Sequence, residues 1–149
     1  MTVKSSPLRL ENLIISKEKI EAYPEYCGEE RKTPAVDFSV KFGEAQVQQE
    51  ETLQRFDAIF FTLKVNAKKR KVPFRAEVEG FALFSTDIEE EQQKAKLLVY
   101  NGTVIVFGFL RGYLYAKLGV LNPECRLIPS ADIRGVIEKA LTENSEGSE

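Results

Sequence analysis

Apolar and polar residues alternate through the first half of the chain with the period of two that a half-buried strand requires. Leu8 to Glu21 is the first such segment: Leu8, Leu10, Asn12 and Ile14 alternate with polar neighbours, Leu13-Ile14-Ile15 forms an apolar knot, and Ile20 closes it. From Val36 to Val47, Val36, Phe38, Val40 and Phe42 share one face, and after Gly43 the apolar phase moves to Ala45 and Val47. That flip predicts a bulge near Gly43, since one extra residue exchanges the two faces. In Arg55 to Val65, Ile59, Phe61, Leu63 and Val65 lie on one face and Phe56, Ala58 and Phe60 on the other. In Phe74 to Phe84, Phe74, Ala76, Val78, Ala82 and Phe84 share a face with Gly80, while Phe81 and Leu83 end the charged face. Polar turns at Glu50-Glu51-Thr52 and Lys68-Lys69-Arg70-Lys71 make the links short, which predicts an antiparallel meander. The Pro-, Gly- and charge-rich stretch Tyr23 to Pro34 is long for a hairpin and asks for a reason.

The period then changes. Thr86-Asp87-Ile88-Glu89 has the form of a capping box and predicts a helix running to about Val99. Asn101-Gly102 predicts a stop or kink, and a second helix is expected from Thr103 to about Val120, ended by Asn122-Pro123. Ser130 is expected to cap a last helix, Ala131 to Leu141, with residues 142–149 a polar, disordered tail. Strands over about 8–86 followed by helices over about 87–141 argue for one α+β domain spanning residues 1–149.

Composition narrows the function. The 149 residues suffice for a real core, with 43% hydrophobic and 30% charged residues and a net charge of −2. Nothing in that balance asks for nucleic acid or an anionic membrane. Histidine is absent, which excludes His-based triads, His general bases and imidazole zinc sites. Cys27 and Cys125 are far apart, with no CxxC cluster, so no metal or cofactor is expected, and each reads as a small packing residue. The N-terminal residues lack a signal-peptide core, so a cytoplasmic protein with reduced thiols is expected. The longest uncharged stretch, Leu97 to Leu110, is too short for a membrane span. The basic turn 68–71 and the run Glu89-Glu90-Glu91 read as an exposed turn and a helix start favoured by the dipole.

Three patterns remain as candidate chemistry. Gly108, Gly112, Ala116 and Gly119 recur at spacings of four, four and three along one side of an almost wholly apolar helix. One sheet covers one side of such a helix, so Gly108, Gly112 and Ala116 are expected at an interface between subunits. Phe56, Phe60, Phe81 and Leu83 sit on the sheet face that a single helical layer leaves free. Tyr23 and Tyr26, beside prolines in the long loop, offer contact area at low entropic cost. These residues point to a non-enzymatic protein that offers apolar surface to other polypeptides.

The residues Phe74-Arg75-Ala76-Glu77-Val78-Glu79-Gly80-Phe81-Ala82-Leu83-Phe84 resemble the fourth strand of the SecB chaperone family. Val106-Phe107-Gly108-Phe109-Leu110-Arg111-Gly112-Tyr113 is similar to its long-helix motif, and Leu127-Ile128-Pro129 to its approach to the final helix. The resemblance covers Leu8 to Leu141 as a divergent member. It implies a four-stranded antiparallel sheet with helices packed on one face, and assembly as a dimer or dimer of dimers. It also implies ATP-independent holding of non-native polypeptides in apolar surface grooves. Gly108, Gly112 and Ala116 would lie near the subunit interface, and Tyr23 and Tyr26 in a crossover loop beside a groove. The family's export chaperones dock on the SecA motor through an acidic surface and a C-terminal tail. A net charge of −2 and a short tail depart from that pattern and argue against an export role. The family also includes chaperones tied to toxin–antitoxin systems, so an adaptor with one dedicated partner is the alternative. A small-ligand carrier or enzyme using the aromatic face is a third reading.

Overall fold

The computed structural model describes residues 7–28 and 33–146. Strands β1 (Leu8–Ala22), β2 (Val36–Gln49), β3 (Thr52–Val65) and β4 (Phe74–Thr86) form one antiparallel sheet in the order β1-β4-β3-β2. The fold class is therefore α+β, as expected, but the simple meander is not. β2, β3 and β4 follow one another, whereas β1 pairs with β4 at the far edge. This supplies the reason for the long loop. Its residues must carry the chain from one edge to the other, across three strand spacings or roughly 14 Å. The charged residues 29–32 of that loop lie outside the described residues.

The expected bulge near Gly43 is absent. β2 and β3 stay in register from Val36↔Val65 to Gln49↔Thr52. The phase flip has another cause: the first half of β2 buries Phe38 and Val40 in the main core, while Ala45 and Val47 pack on the opposite face. The bulges lie in β1, between Leu10 and Asn12 and between Ile15 and Lys17. Each exchanges the faces once. Leu13 and Ile15 therefore join Ala82 and Gly80 on the core side, and Ile14 points the other way, opposite Phe81. Gly80 makes this approach possible. A Cβ there would lie 2.0 Å from the Ile14 carbonyl oxygen and 2.9 Å from the Phe61 ring.

The helical half also departs from expectation. The helix begins at Glu91, because Thr86 is still in β4 and its Oγ1 accepts the Ile88 N–H at 3.3 Å in a local turn. α1 (Glu91–Leu97) does not stop at Asn101-Gly102. A π-helical turn (Leu98–Gly102) carries it directly into α2 (Thr103–Lys117). The Thr103 hydroxyl donates to the Val99 carbonyl at 2.6 Å within that turn. Gly102 is used for packing: a Cβ would come within 2.7 Å of Ile59 Cδ1. α2 ends at Lys117, before the expected Val120. α3 (Ile133–Glu146) starts later than expected and is capped by Asp132, whose Oδ1 accepts the Gly135 N–H at 3.2 Å, and not by Ser130. It also takes in residues 142–146 of the expected tail.

The core lies between the sheet and one stripe of α2. Val106, Phe107, Leu110, Leu114 and Leu118 pack on Phe38, Ile59, Phe61, Leu63, Val78 and Ala82. The Phe38 and Phe107 ring centroids are 5.0 Å apart. Glu91–Lys117 is long and apolar enough by length and composition to cross a membrane, but this stripe is buried against the sheet. After its second bulge β1 turns Glu18 toward α2, where it accepts a hydrogen bond from Tyr113 Oη at 2.8 Å, and Lys117 Nζ lies 3.9 Å away. Burial, then Glu18, pushes the Tyr113 phenol up from its ordinary value.

A polar anchor and an apolar one hold the crossover connection. Buried Asn66, at φ 56°, accepts the Ala35 N–H on Oδ1 at 3.0 Å and donates from Nδ2 to the Phe74 carbonyl at 3.1 Å. It thus fixes the entry to β2 against the exit of β3 and the start of β4. At the other end Cys27 follows the 3₁₀ turn Pro24–Tyr26 and packs, half-buried, against the main core, as does Cys125, the last residue of the 3₁₀ turn Pro123–Cys125. Burial, reinforced by Cys125, pushes the Cys27 thiol up from 9.0 to about 11.

Gly80→Ala should force β1 away from β4 and lower stability by roughly 1–3 kcal/mol, the usual cost of overpacking. Urea unfolding measures it, and an unchanged midpoint would show that β1 is held by other contacts. The folded chain keeps a proton on Cys27 that the unfolded chain releases between about pH 9 and 11. Stability contributed by this group is present below that interval and is lost as pH rises through it. Urea midpoints across the interval should fall less steeply for Cys27→Ser than for the wild type.

Candidate polypeptide-binding surface

The sheet face away from the helices is built in cross-strand rows, because directly paired residues share a face. Near the end where the crossover leaves β1, one row reads Asp37, Lys64, Glu77, Lys19, and the next Ser39, Thr62, Glu79, Lys17. Opposite charges stand side by side there and the surface is polar. The character then changes within one step. The following row is Lys41, Phe60, Phe81, Ile14, and the one after it Gly43, Ala58, Leu83, Asn12. Phe56 pairs with Ala45 beyond them.

These rows form a second apolar cluster, separate from the main core. Its buried floor is Phe56, Ala58 and Leu83, with Ala45, Val47 and Phe81 packed around it. Phe56 is 9% exposed and Leu83 4%, so both support the patch from below. Phe60 is 42% exposed and is its most open aromatic. Its ring stands 6.0 Å from that of Phe81 and reaches over the bare backbone of Gly43. Ile14 completes the exposed row at 36%. Every member of the cluster comes from a strand, and among the described residues no helix contributes to it.

Ile14 was not among the residues that the sequence singled out for this face. The signal was present in Leu13-Ile14-Ile15: three successive apolar residues in a strand must send the middle one to the opposite face.

Tyr23 and Tyr26 lie elsewhere. Tyr23 follows β1, and its N–H donates to the Pro73 carbonyl at 2.7 Å. Its hydroxyl donates to Glu21 and accepts from Arg75 Nη2 at 3.0 Å, with the Arg75 guanidinium 5.2 Å from the ring centroid. Tyr26 meets Tyr23 edge-on at 6.4 Å. Arg75 and Phe81 are six residues apart on β4, or roughly 20 Å, with Glu77 and Glu79 between them on the same face. The tyrosines and the phenylalanine patch are therefore two separate surfaces. The hydrogen bond from Tyr23 also holds the Glu21 carboxyl below its ordinary value.

The outer side of α2 is a third apolar surface. Gly108, Gly112 and Ala116 are exposed along it, beside Val104, Phe109 and Tyr115. A Cβ added at Gly108 or Gly112 would touch nothing within 4 Å. The close approach expected at these glycines is thus not made within the chain; Gly102 alone of the helix glycines presses against the sheet. A cleft of about 300 Å³ opens between Gly108, Gly112 and the 126–128 segment. Arg126 caps the helix there, donating to the Tyr115 carbonyl at 3.3 Å with its guanidinium 3.9 Å from the Tyr115 ring centroid. Arg111 Nε donates to the Ile128 carbonyl at 3.0 Å.

The titratable groups are dispersed. Burial pushes the Asp57 carboxyl up, against the pull of Lys94 at 3.7 Å beneath α1. The Arg9 guanidinium beside Asp87 holds that carboxyl below its ordinary value. Among the described residues no three Cys, Asp or Glu side chains converge as a metal site would require.

No family model matches the chain, and no curated protein does. Among solved structures, the chain is similar to a SecB-like chaperone of Mycobacterium tuberculosis in complex with a ChAD peptide from an antitoxin, at 16% identity and a TM-score of 0.42, over 83% of this chain and 91% of that one.

Proposed function

We propose that this chain is a cytoplasmic, non-enzymatic, ATP-independent holdase of SecB-like type that binds non-native polypeptides on apolar surface. The observation that carries the reading is the row of exposed Phe60 and Ile14 on either side of half-buried Phe81, on a sheet face that no helix contributes to among the described residues. An extended apolar segment lying along the strands fits these rows, since its alternate side chains repeat at the spacing from one row to the next. The charged rows beside it confine that segment to one half of the face. Tyr23 and Tyr26 offer a second, separate contact. The open glycine side of α2 serves assembly as a dimer or dimer of dimers, and several patches on one assembly raise avidity for a long unfolded client.

The small extent of the patch also supports the alternative, an adaptor or toxin–antitoxin-associated chaperone with one dedicated partner. A holdase captures many unrelated unfolded chains, whereas an adaptor captures one native partner, and a pull-down from lysate separates the two.

The purified chain should suppress aggregation of a chemically unfolded client at several-fold excess. Phe60→Ser should weaken this several-fold while leaving the urea midpoint nearly unchanged; no suppression by the wild type removes the holdase reading. For assembly, Gly112→Arg places a side chain where the single chain is open. It should stabilise α2 by about 1 kcal/mol through helix propensity and shift sedimentation toward the monomer. A wild type that is already strictly monomeric at micromolar concentration would overturn the interface.

A further inference from the structure

Arg111 and Arg126 line the same cleft of about 300 Å³, and no carboxylate lines it with them. α2 supplies one wall through Arg111, Tyr115 and two glycines, and the 126–128 segment supplies the other. Each guanidinium reaches across to the opposite wall. Arg111 Nε donates to the Ile128 carbonyl at 3.0 Å, and Arg126 Nη1 to the Tyr115 carbonyl at 3.3 Å. Arg126 is held a second time by the Tyr115 ring, whose centroid lies 3.9 Å from the guanidinium carbon. Both charges are therefore fixed in position in advance, and little ordering entropy is left to lose on binding. Arg9, Arg55 and Arg134 each have a carboxylate within 4.0 Å, whereas among the described residues no carboxylate pairs with Arg111 or Arg126. An arginine carries several N–H donors, and the two hydrogen bonds engage one on each. Arg126 Nε is buried without a partner. That charge is thus partly removed from water and attracts an anion more strongly than a fully solvated one would.

We propose that this cleft binds a small organic carboxylate with an apolar body. The carboxylate meets the remaining guanidinium N–H groups, whose planar fork matches its two oxygens. The body lies on the bare backbone at Gly108 and Gly112, against Leu127 and Ile128. A Cβ at either glycine would meet nothing within 4 Å, so this floor is open. The volume is at the lower end of small-molecule sites, which run from about 300 to 1,000 Å³, so the ligand is compact. From Gly108 to Tyr115 the cleft extends roughly 10 Å along the helix. That is room for a compact molecule and for no more than about three residues of extended chain. The inference does not depend on the phenylalanine patch, and it stands whether or not the glycine side of α2 also pairs.

Benzoate is the probe, titrated into the folded full-length chain while backbone amide shifts are followed by NMR. Saturable shifts are expected at Gly108, Gly112, Arg126 and Leu127, with a dissociation constant on the order of a millimolar. Benzamide, of the same shape without the charge, should bind at least about tenfold more weakly, and added salt should weaken benzoate. Arg111→Gln should also weaken benzoate about tenfold. Gly108→Leu should abolish binding by filling the floor. It should not lower the thermal midpoint, since the added side chain has room and favours the helix. These two variants carry the test even if Arg126→Gln, which also loosens the end of α2, fails to fold. Equal binding of benzoate and benzamide, shifts confined to other parts of the chain, or no saturable shift at tens of millimolar would each overturn the inference. So would a glutamate-bearing peptide that shifts these amides where benzoate does not.

Discussion

The Ile14 carbonyl occupies the space that a side chain at position 80 would need. That contact lets β1 lie close on β4, and much of the architecture depends on this pairing. Because β1 sits at the β4 edge, the chain must cross the sheet to begin β2, which accounts for the long connection and for its anchor at Asn66. The two bulges that fit β1 to β4 also decide which of its residues enter the core. They send Leu13 and Ile15 toward α2, turn Ile14 outward, and bring Glu18 to Tyr113 and Lys117.

The sheet is asymmetric in a way that a two-layer fold requires only in part. The side toward α2 is apolar along most of its length and closed by the helix stripe. The other side is divided across its width between paired charges and a phenylalanine patch. β2 registers this division in its own sequence, apolar on one face through Phe42 and on the other from Ala45, without any irregularity in pairing. A face needed only for solvation would carry the charged rows throughout.

Much of this was legible in the sequence where the signal is local. Period-two alternation located the four strands, and the change of period located the helices. Topology was not local: β1 joins β4, and its close approach there uses a glycine 65 residues later (80 − 15), which pairs with Ile15. Asn101-Gly102 usually ends a helix, but here a π turn absorbs it and Gly102 is spent on contact with Ile59. Of the candidate binding residues, alternation alone placed Phe56, Phe60, Phe81 and Leu83 on one face. It did not separate the exposed Phe60 from the buried Phe56 and Leu83, because depth depends on neighbours across strands.

The edge position of β1 also sets an order of events during synthesis. β1 is the first strand to be made, and its one neighbour in the sheet is the last. Leu8 waits for Thr86, and the hairpins of β2, β3 and β4 have no such wait. A nascent chain therefore carries an unpaired strand with three adjacent apolar residues until most of the sheet exists. Closing that long interval is entropically costly and slow compared with hairpin formation. The newly made protein is, for that period, itself a chain with an unpaired apolar segment.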